Sequence, residues 1–292
     1  MSDDVVALSA VPVAGGALTV ASWGPPDAPA VIALHGLTGS HLAWAAHARR
    51  AGTRFRLIAP DLRGRGASSA VAGPWGFGAH VADVVAVLDA FEIDRTVLIG
   101  HSMGAYIALA VAAGHPERVR GLVLVDGGLP EGAQNAGLYA EISRRALEGL
   151  EALHATVFAS PEEYLASRRP LTPAGVEWDD DLERQHLAVL VEHGGGYRVR
   201  GSLDAVRADT DYIHSAAPGV PLRALSRPAY LLSATDGFVP DSRGTYWDEE
   251  LAEWEALLPN LRTERFSGVN HASIMVRDEP VTAALDAIER LL

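Results

Sequence analysis

The residues of this sequence best suited to covalent chemistry lie in the stretch Gly100 to Gly104, which reads G-x-S-x-G around Ser102. A serine hydroxyl becomes a nucleophile when a neighbouring base removes its proton. A strand-like apolar run, 96–99, directly precedes the motif, and a helix-forming run, 103–113, follows it. A serine on such a tight strand-to-helix turn needs small residues two positions away on either side. This context favours a nucleophilic Ser102 over a glycine-rich turn that contains serine by chance.

The backbone amide of Met103 is a candidate for stabilising negative charge. Met103 opens the predicted helix, where the N–H groups have no intrahelical acceptor and the helix dipole is positive. Such an N–H can donate to the oxyanion that forms when a serine attacks a carbonyl group. We therefore predict that Met103 contributes one donor to an oxyanion hole.

The elements that must position these residues alternate between short apolar runs and longer helical patterns. Runs without polar alternation predict strands buried on both faces of a mainly parallel sheet; they are 31–34, 55–59, 96–99, 121–125 and 230–233. Helical patterns suited to crossovers between parallel strands are 41–50, 79–91, 103–113 and 281–292. Two alternating segments, 5–13 and 17–22, predict an antiparallel hairpin at the leading edge of the sheet.

The serine motif and the order of the elements resemble the α/β-hydrolase family along nearly the whole chain. The resemblance implies an α/β fold with an eight-stranded, mostly parallel sheet flanked by helices. The stretch Leu34 to Ser40, after the third strand, resembles the family's loop for the second oxyanion donor, which implies that role for the Leu37 amide. Asp61 to Ser69 resembles the family's D-x-x-G-x-G-x-S loop, for which we predict no catalytic role.

The same resemblance implies which histidine acts as the base. In this family the catalytic histidine comes last, after the final strand and ahead of the terminal helix. His271 stands at that place, in Gly268 to Ala272, after the strand-like run 263–266. We predict that His271 activates Ser102 as general base.

Two aspartates compete for the acid that orients His271, because branches of the family place it after the sixth or the seventh strand of the core. Asp236 follows the run 230–235, and Asp236 to Pro240 resembles the usual aspartate followed by an apolar residue and proline. Asp126 ends the run 122–125 and precedes two glycines. We favour Asp236 and keep Asp126 as the alternative acid, or else as a turn or pocket residue.

The regular alternation stops after Asp126 and resumes near Pro228, with helical patterns at 134–154, 161–167 and 180–192 between. We predict a hydrolase core of residues 1–128 and 216–292 and an inserted helical cap of residues 129–215, since insertions at strand ends form lids. His193 to Gly196 has the letters of an HGGG oxyanion motif, but it lies downstream of the nucleophile and is interpreted as a flexible turn. Aromatic side chains of the cap could wall the pocket or hold the cap on the core; they are Tyr139, Phe158, Tyr164, Trp178 and Tyr197.

Composition and charge exclude several classes of protein. The 292 residues carry a net charge of −13 with no cluster of lysine and arginine, which argues against a nucleic-acid partner. The chain has no cysteine, and neither an H-E-x-x-H metal motif nor a phosphate-binding glycine loop is present, so we predict no metal and no cofactor. The most apolar stretch, 105–113, is shorter than the roughly 20 residues that cross a bilayer. Because Asp3 and Asp4 stand where a secretory signal is basic, we expect a cytoplasmic protein, as monomer or homodimer.

The predicted reaction is hydrolysis of a carboxylic ester or a lactone through an acyl-enzyme on Ser102. The resemblance also implies two alternative enzymatic activities: a carbon–carbon bond hydrolase of the meta-cleavage type, or a cofactor-independent dioxygenase that uses His271 and Asp126. A third alternative is a binding module, like the hormone receptors of this fold. The negative charge of the protein disfavours anions, so we expect a small-molecule substrate that is apolar or uncharged.

Overall fold

One large sheet organises the chain. The computed structural model describes residues 6–130, 136–215, 222, 225–237 and 242–292. Eight strands of these residues form the sheet, in the spatial order β1-β2-β4-β3-β5-β6-β9-β10; they are β1 (Ala7–Val13), β2 (Gly16–Trp23), β3 (Ala30–Leu34), β4 (Arg56–Pro60), β5 (Thr96–His101), β6 (Val119–Val125), β9 (Ala229–Asp236) and β10 (Leu261–Asn270). Strand β2 is antiparallel to both its neighbours, and the other pairs are parallel. The predicted eight-stranded, mostly parallel sheet and its leading hairpin are confirmed, although Val5 lies outside the described residues.

Helices cover both faces of this sheet. Helices α2, α3 and α8 share one apolar cluster with the sheet, and α1 and α9 share the other. Each face therefore buries apolar side chains, which is the dominant stabilising contribution in such a layered fold. The α-helices are α1 (Ala45–Ala51), α2 (Phe77–Ala90), α3 (Met103–Gly114), α4 (Ala136–Ala155), α5 (Pro161–Arg168), α6 (Asp180–Leu187), α7 (Leu203–Ile213), α8 (Asp248–Leu257) and α9 (Asp278–Leu291).

Strand β5 shows why the apolar runs of the sequence lack polar alternation. Leu98 points into the cluster of α2 and α3, whereas Val97 and Ile99 point into the cluster of α1 and α9. Side chains of a strand alternate between the two faces, so a strand covered on both sides needs apolar residues at successive positions. The predicted burial of this strand on both faces is confirmed.

The parallel arrangement of β5, β6 and β9 brings three strand ends together. The register pairs His101 of β5 with Val125 of β6, and Val125 with Leu232 of β9. The residues just beyond these ends are joined by backbone hydrogen bonds, from Ser102 N–H to the Val125 carbonyl at 2.9 Å and from Asp126 N–H to the Leu232 carbonyl at 2.8 Å. Ser102 and Asp126 therefore lie at one edge of the sheet, which is where open α/β sheets place their sites.

Between β6 and β9 the chain leaves the sheet and forms the segment that we call the insertion, residues 136–215. It holds α4 to α7 and a small antiparallel pair, β7 (Leu190–His193) and β8 (Gly196–Val199). The prediction of a helix over 180–192 is wrong beyond Leu187, because β7 forms there. Gly194 and Gly195 make the hairpin turn with φ of 59° and 83°, the left-handed values that a tight hairpin turn requires.

The boundaries predicted for the core and the cap stay a prediction, since residues 131–135 and 216–221 lie outside the described residues. Helix α8 was not predicted from the sequence. It buries only Leu251 among its ten residues, so the sequence shows little of the apolar periodicity by which a helix is recognised. Among the helices that are described, none has the length and apolar character to span a membrane.

Candidate active site

Ser102 sits on a strained turn between β5 and α3. Its backbone has φ 53° and ψ −120°, which is unfavourable for a residue with a side chain. The turn is packed against its neighbours so closely that a Cβ atom on Gly100 would collide with the Gly104 carbonyl, and one on Gly104 with the Leu34 carbonyl. The two glycines of the motif thus permit the close approach that holds Ser102 in this conformation, as the motif predicts.

His271 is held by a buried carboxylate. Its Nδ1 atom lies 2.7 Å from Oδ2 of Asp126, whose side chain is fully buried. The Asp126 carboxylate also accepts hydrogen bonds from the Ala234 amide at 3.0 Å and from the hydroxyls of Ser233 and Thr245 at 3.4 and 3.3 Å. Burial by itself would raise the pKa of Asp126, but the hydrogen bond and charge of His271 and the Ala234 amide hold that pKa below its usual value. Asp126 is therefore an ionised acceptor that fixes the imidazole ring.

The preference for Asp236 as the partner of His271 is wrong. Asp236 is exposed, and its carboxylate accepts from the Thr235 hydroxyl at 2.9 Å. Strand β9 passes Asp126 at Ser233 and Ala234 and continues to Asp236, which carries the Asp236 side chain beyond the buried end of the site. The residues that made Asp236 attractive in the sequence, Phe238 to Pro240, lie outside the described residues.

His101, within the serine motif, supports the histidine loop. Its Nε2 atom donates to the backbone carbonyl of His271 at 3.0 Å, and the two ring centroids are 4.6 Å apart. Burial, with a smaller contribution from the charge of His271, lowers the pKa of His101 to about 3, so this ring stays neutral near pH 7. Sequence reasoning missed this role, because the contact joins residues 170 positions apart.

The loop after β3 runs directly against the serine turn. A Cβ atom on Gly36 would lie 3.4 Å from the Ser102 Cβ and 3.2 Å from Nδ1 of His101. Leu37, the next residue, lines the same cavity as Ser102 and His271. Met103 is buried beneath them as the first residue of α3. The structure thus brings together Ser102, His271, Leu37 and Met103, and the donation of the two amides to an oxyanion stays a prediction.

A cavity of about 1080 Å³ opens over these residues. The insertion contributes apolar lining through Ile142, Val176 and Ile213. It also contributes a polar pair, in which His214 Nε2 lies 2.7 Å from the Ser143 hydroxyl. Four of the five aromatic residues that could wall the pocket or hold the cap on the core do not line this cavity: Phe158 and Tyr164 are buried in a separate cluster inside the insertion, with Trp178 and Tyr197 packed against it. The side chain of Tyr139 lies outside the described residues.

The model of the family described as "alpha/beta hydrolase fold" matches residues 29–278. The lipase LipV of Mycobacterium tuberculosis is 36% identical over 109 residues, which are 37% of this chain and 41% of the lipase. Epoxide hydrolase 2 of Siraitia grosvenorii is 39% identical over 107 residues, which are 36% of this chain and 33% of that protein. The chain thus spans less than half the length of these curated relatives.

A solved structure resembles the chain over its whole length. E-2-(acetamidomethylene)succinate hydrolase has a TM-score of 0.77 with 98% of this chain and 99% of that chain covered. The sequence identity is 23%, so this likeness concerns the fold.

The contacts of the two aspartates predict opposite effects of matched substitutions. Asp126→Asn should lower kcat on a reactive ester by about 10⁴, since an amide cannot hold the imidazole in the required tautomer or stabilise the imidazolium. Asp236→Asn should leave kcat near that of the wild type, because the carboxylate contacts Thr235 and not the imidazole. Steady-state kinetics on both variants, with circular dichroism as the control for folding, make the comparison. The reverse ranking would return the acid to Asp236.

Proposed function

The chain belongs to the α/β-hydrolase fold family, and on that premise we propose that it is a serine hydrolase that cleaves a carboxylic ester or lactone through an acyl-enzyme. The observation that carries the proposal is the 2.7 Å hydrogen bond between His271 and the buried Asp126, at the cavity that Ser102 also lines. A serine, an imidazole and a buried carboxylate at one cavity are the groups that acyl transfer requires.

In the proposed mechanism each of these residues has one task. Asp126 accepts from Nδ1–H of His271, so the neutral imidazole carries its lone pair on Nε2, and this atom takes the proton of Ser102. The Ser102 oxygen attacks the carbonyl carbon, and the amides of Leu37 and Met103 donate to the resulting oxyanion. His271 then gives its proton to the departing alcohol oxygen. Water, deprotonated by the same imidazole, releases the acid and restores Ser102.

We propose that the insertion acts as a cap over this cavity. Residues of α4, α6 and α7 line it together with residues of the serine turn, and Arg49 of α1, which also lines it, forms an ion pair with Asp181 of α6. A cap that excludes water strengthens the electrostatic interactions within the site. The separate apolar cluster around Phe158 and Tyr164 gives the insertion a core of its own.

The charges around the cavity support an uncharged substrate. Among the described residues that line the cavity and have side chains at least partly exposed to solvent, carboxylates outnumber guanidinium groups. Anions therefore meet an unfavourable local potential as well as the net charge of −13. The carboxylates are Glu177, Asp179, Asp181, Asp278 and Glu279, and the guanidinium groups are those of Arg49 and Arg277.

One observation also favours a second candidate function. A cofactor-independent dioxygenase of this fold would use His271 and Asp126 as its base pair, and these two residues are in contact. In that reaction Ser102 would at most orient the substrate. Hydrolysis, including the cleavage of a carbon–carbon bond, requires the serine oxygen itself, so the role of Ser102 separates the two candidates.

Covalent labelling tests the nucleophile. A fluorophosphonate should add one equivalent of mass at Ser102, because the serine oxygen attacks phosphorus as it would attack a carbonyl carbon. Intact-mass analysis followed by peptide mapping measures the adduct, and Ser102→Ala is the control that should remain unlabelled. The proposal would be contradicted if the folded wild-type protein stayed unlabelled at fluorophosphonate concentrations that label ordinary esterases.

The dependence on Ser102 and on oxygen separates hydrolase from dioxygenase. Once a substrate is found among esters, lactones and diketones, Ser102→Ala should lower kcat by about 10⁶, to a residual rate like that of His271→Ala. Turnover should be the same in oxygen-free buffer, since hydrolysis consumes only water. Oxygen consumption, or a Ser102→Ala variant that keeps a tenth of its activity while His271→Ala is inactive, would support the dioxygenase.

The charge of the acyl group should control the rate. We expect kcat/KM for p-nitrophenyl valerate to exceed that for mono-p-nitrophenyl succinate by about tenfold at low ionic strength. The two acyl groups are similar in size, but the succinate has a negatively charged carboxylate where the valerate has the end of its alkyl chain. The ratio should fall in 0.5 M salt through screening. Glu177→Gln should raise the rate for the succinate and leave that for the valerate unchanged. Equal rates for both esters at low salt would show that the exposed carboxylates of the cavity do not select substrate.

A further inference from the structure

A buried ion pair joins the insertion to the core beside the serine turn. Arg65, in the loop after β4, is 4% exposed, and Asp209 of α7 is fully buried. Nη1 of Arg65 lies 2.7 Å from Oδ2 of Asp209. The same carboxylate oxygen lies 2.9 Å from Nε2 of His80 on α2. Asp209 thus connects the insertion to two parts of the core.

The Arg65 guanidinium contacts both residues predicted to form the oxyanion hole. Its Nε donates to the carbonyl of Leu37 at 3.0 Å, and its Nη2 lies 3.9 Å from Sδ of Met103. A further bond, from Nη1 to the Arg63 carbonyl at 3.0 Å, ties the group to its own loop. One rigid, planar group therefore braces the loop after β3 against the start of α3.

We propose that Arg65 is a positioning residue for the oxyanion hole and that Asp209 holds it in place, so that helix α7 must be docked for the hole to form. The inference rests on the proposed function, in which the Leu37 and Met103 amides are the donors. The Leu37 N–H and the Leu37 carbonyl belong to consecutive planar peptide units that meet at the Leu37 Cα. Holding the carbonyl limits the ψ angle of Leu37 and so leaves fewer orientations for the N–H of the adjoining unit. The insertion then contributes to catalysis as well as to the shape of the pocket.

The neighbouring Arg63 offers a matched control. It is as buried as Arg65 and forms its own buried pair with Asp83, at 2.6 and 2.5 Å. Its remaining side-chain bonds go to the carbonyls of Pro74 and Ala14, and none reaches Leu37 or Met103. Weakening either pair disturbs a buried charge and destabilises the protein. Only the Arg65 pair should affect the oxyanion hole.

The experiment compares Arg65→Lys with Arg63→Lys, and Asp209→Asn with Asp83→Asn, in the full chain. A lysine keeps the charge, but its single ammonium group cannot donate to the Leu37 carbonyl and the Asp209 carboxylate together, as the planar guanidinium does. An alkyl trifluoromethyl ketone serves as the probe, because attack by Ser102 turns its ketone oxygen into an oxyanion. The measurements are kcat and KM on p-nitrophenyl butyrate, the inhibition constant of the ketone, and the melting temperature of each variant.

We expect Arg65→Lys to lower kcat and the affinity for the ketone together by about 10²-fold, as for the loss of one oxyanion donor, with KM little changed. Asp209→Asn, which keeps the size of the side chain, should show a smaller loss of the same kind. The Arg63 and Asp83 variants should lose melting temperature to a similar extent and keep both kcat and ketone affinity. If Arg65→Lys does not fold, the comparison of Asp209→Asn with Asp83→Asn gives the same test.

Two failures remain distinguishable. A wild-type protein that forms no adduct with the ketone would overturn the proposed function and this inference with it. If the wild-type protein binds the ketone, two results would overturn the positioning role alone. In the first, folded Arg65 and Asp209 variants bind the ketone as well as the wild type does. In the second, the Arg63 and Asp83 variants lose as much ketone affinity as the Arg65 and Asp209 variants.

Discussion

The buried carboxylate of Asp126 is the group on which the arrangement of the site depends. Placing a charge in the protein interior is costly unless hydrogen bonds compensate it. Asp126 obtains them from the Ala234 amide, the hydroxyls of Ser233 and Thr245, and the imidazole of His271. Its donors come from β9, from the segment before α8 and from the loop after β10. Satisfying one carboxylate therefore draws three separate parts of the chain to the end of β6.

The strain at Ser102 is sustained by the same part of the sheet. A residue with φ of 53° costs on the order of 1–3 kcal/mol, and it persists only where the surrounding packing determines its conformation. Here the packing comes from backbone against backbone: Gly100 against Gly104, Gly104 against β3, and Gly127 against Ser102. Because each contact excludes even a Cβ atom, the serine turn has little freedom to relax. Ser102 therefore lines the cavity from a turn that tightly packed strands and a helix hold in place.

The insertion has its own apolar cluster, and its contacts with the core include two ion pairs beside the packing of Tyr212 on Phe77. The Arg49–Asp181 pair joins it to α1 at the lining of the cavity, and both side chains keep some solvent exposure. The Arg65–Asp209 pair joins it to the loop after β4 in full burial. Exposed pairs contribute little to stability, whereas buried partners depend strongly on each other. The two contacts should therefore differ in how much the core depends on them, with α7 more tightly coupled to the serine turn than α6.

Local patterns in the sequence predicted the sheet, the helices beside it except α8, and the turn that carries Ser102, because strand burial and a strand-to-helix turn leave their signs in adjacent residues. His271 was predicted from the resemblance to the hydrolase family. The hairpin of β7 and β8 was missed because a short, largely exposed strand carries no such sign. The choice between Asp126 and Asp236 could not be made from either motif, since both follow an apolar strand and precede glycine. The tertiary structure decided between the two aspartates. Strand β9 extends past the level at which β6 ends, so Asp126 lies in the interior, whereas Asp236 is exposed to solvent. The contacts of Arg65 with Asp209 and of His101 with His271 likewise join residues more than 140 positions apart, and no local pattern encodes a distance that exists only after the chain has folded.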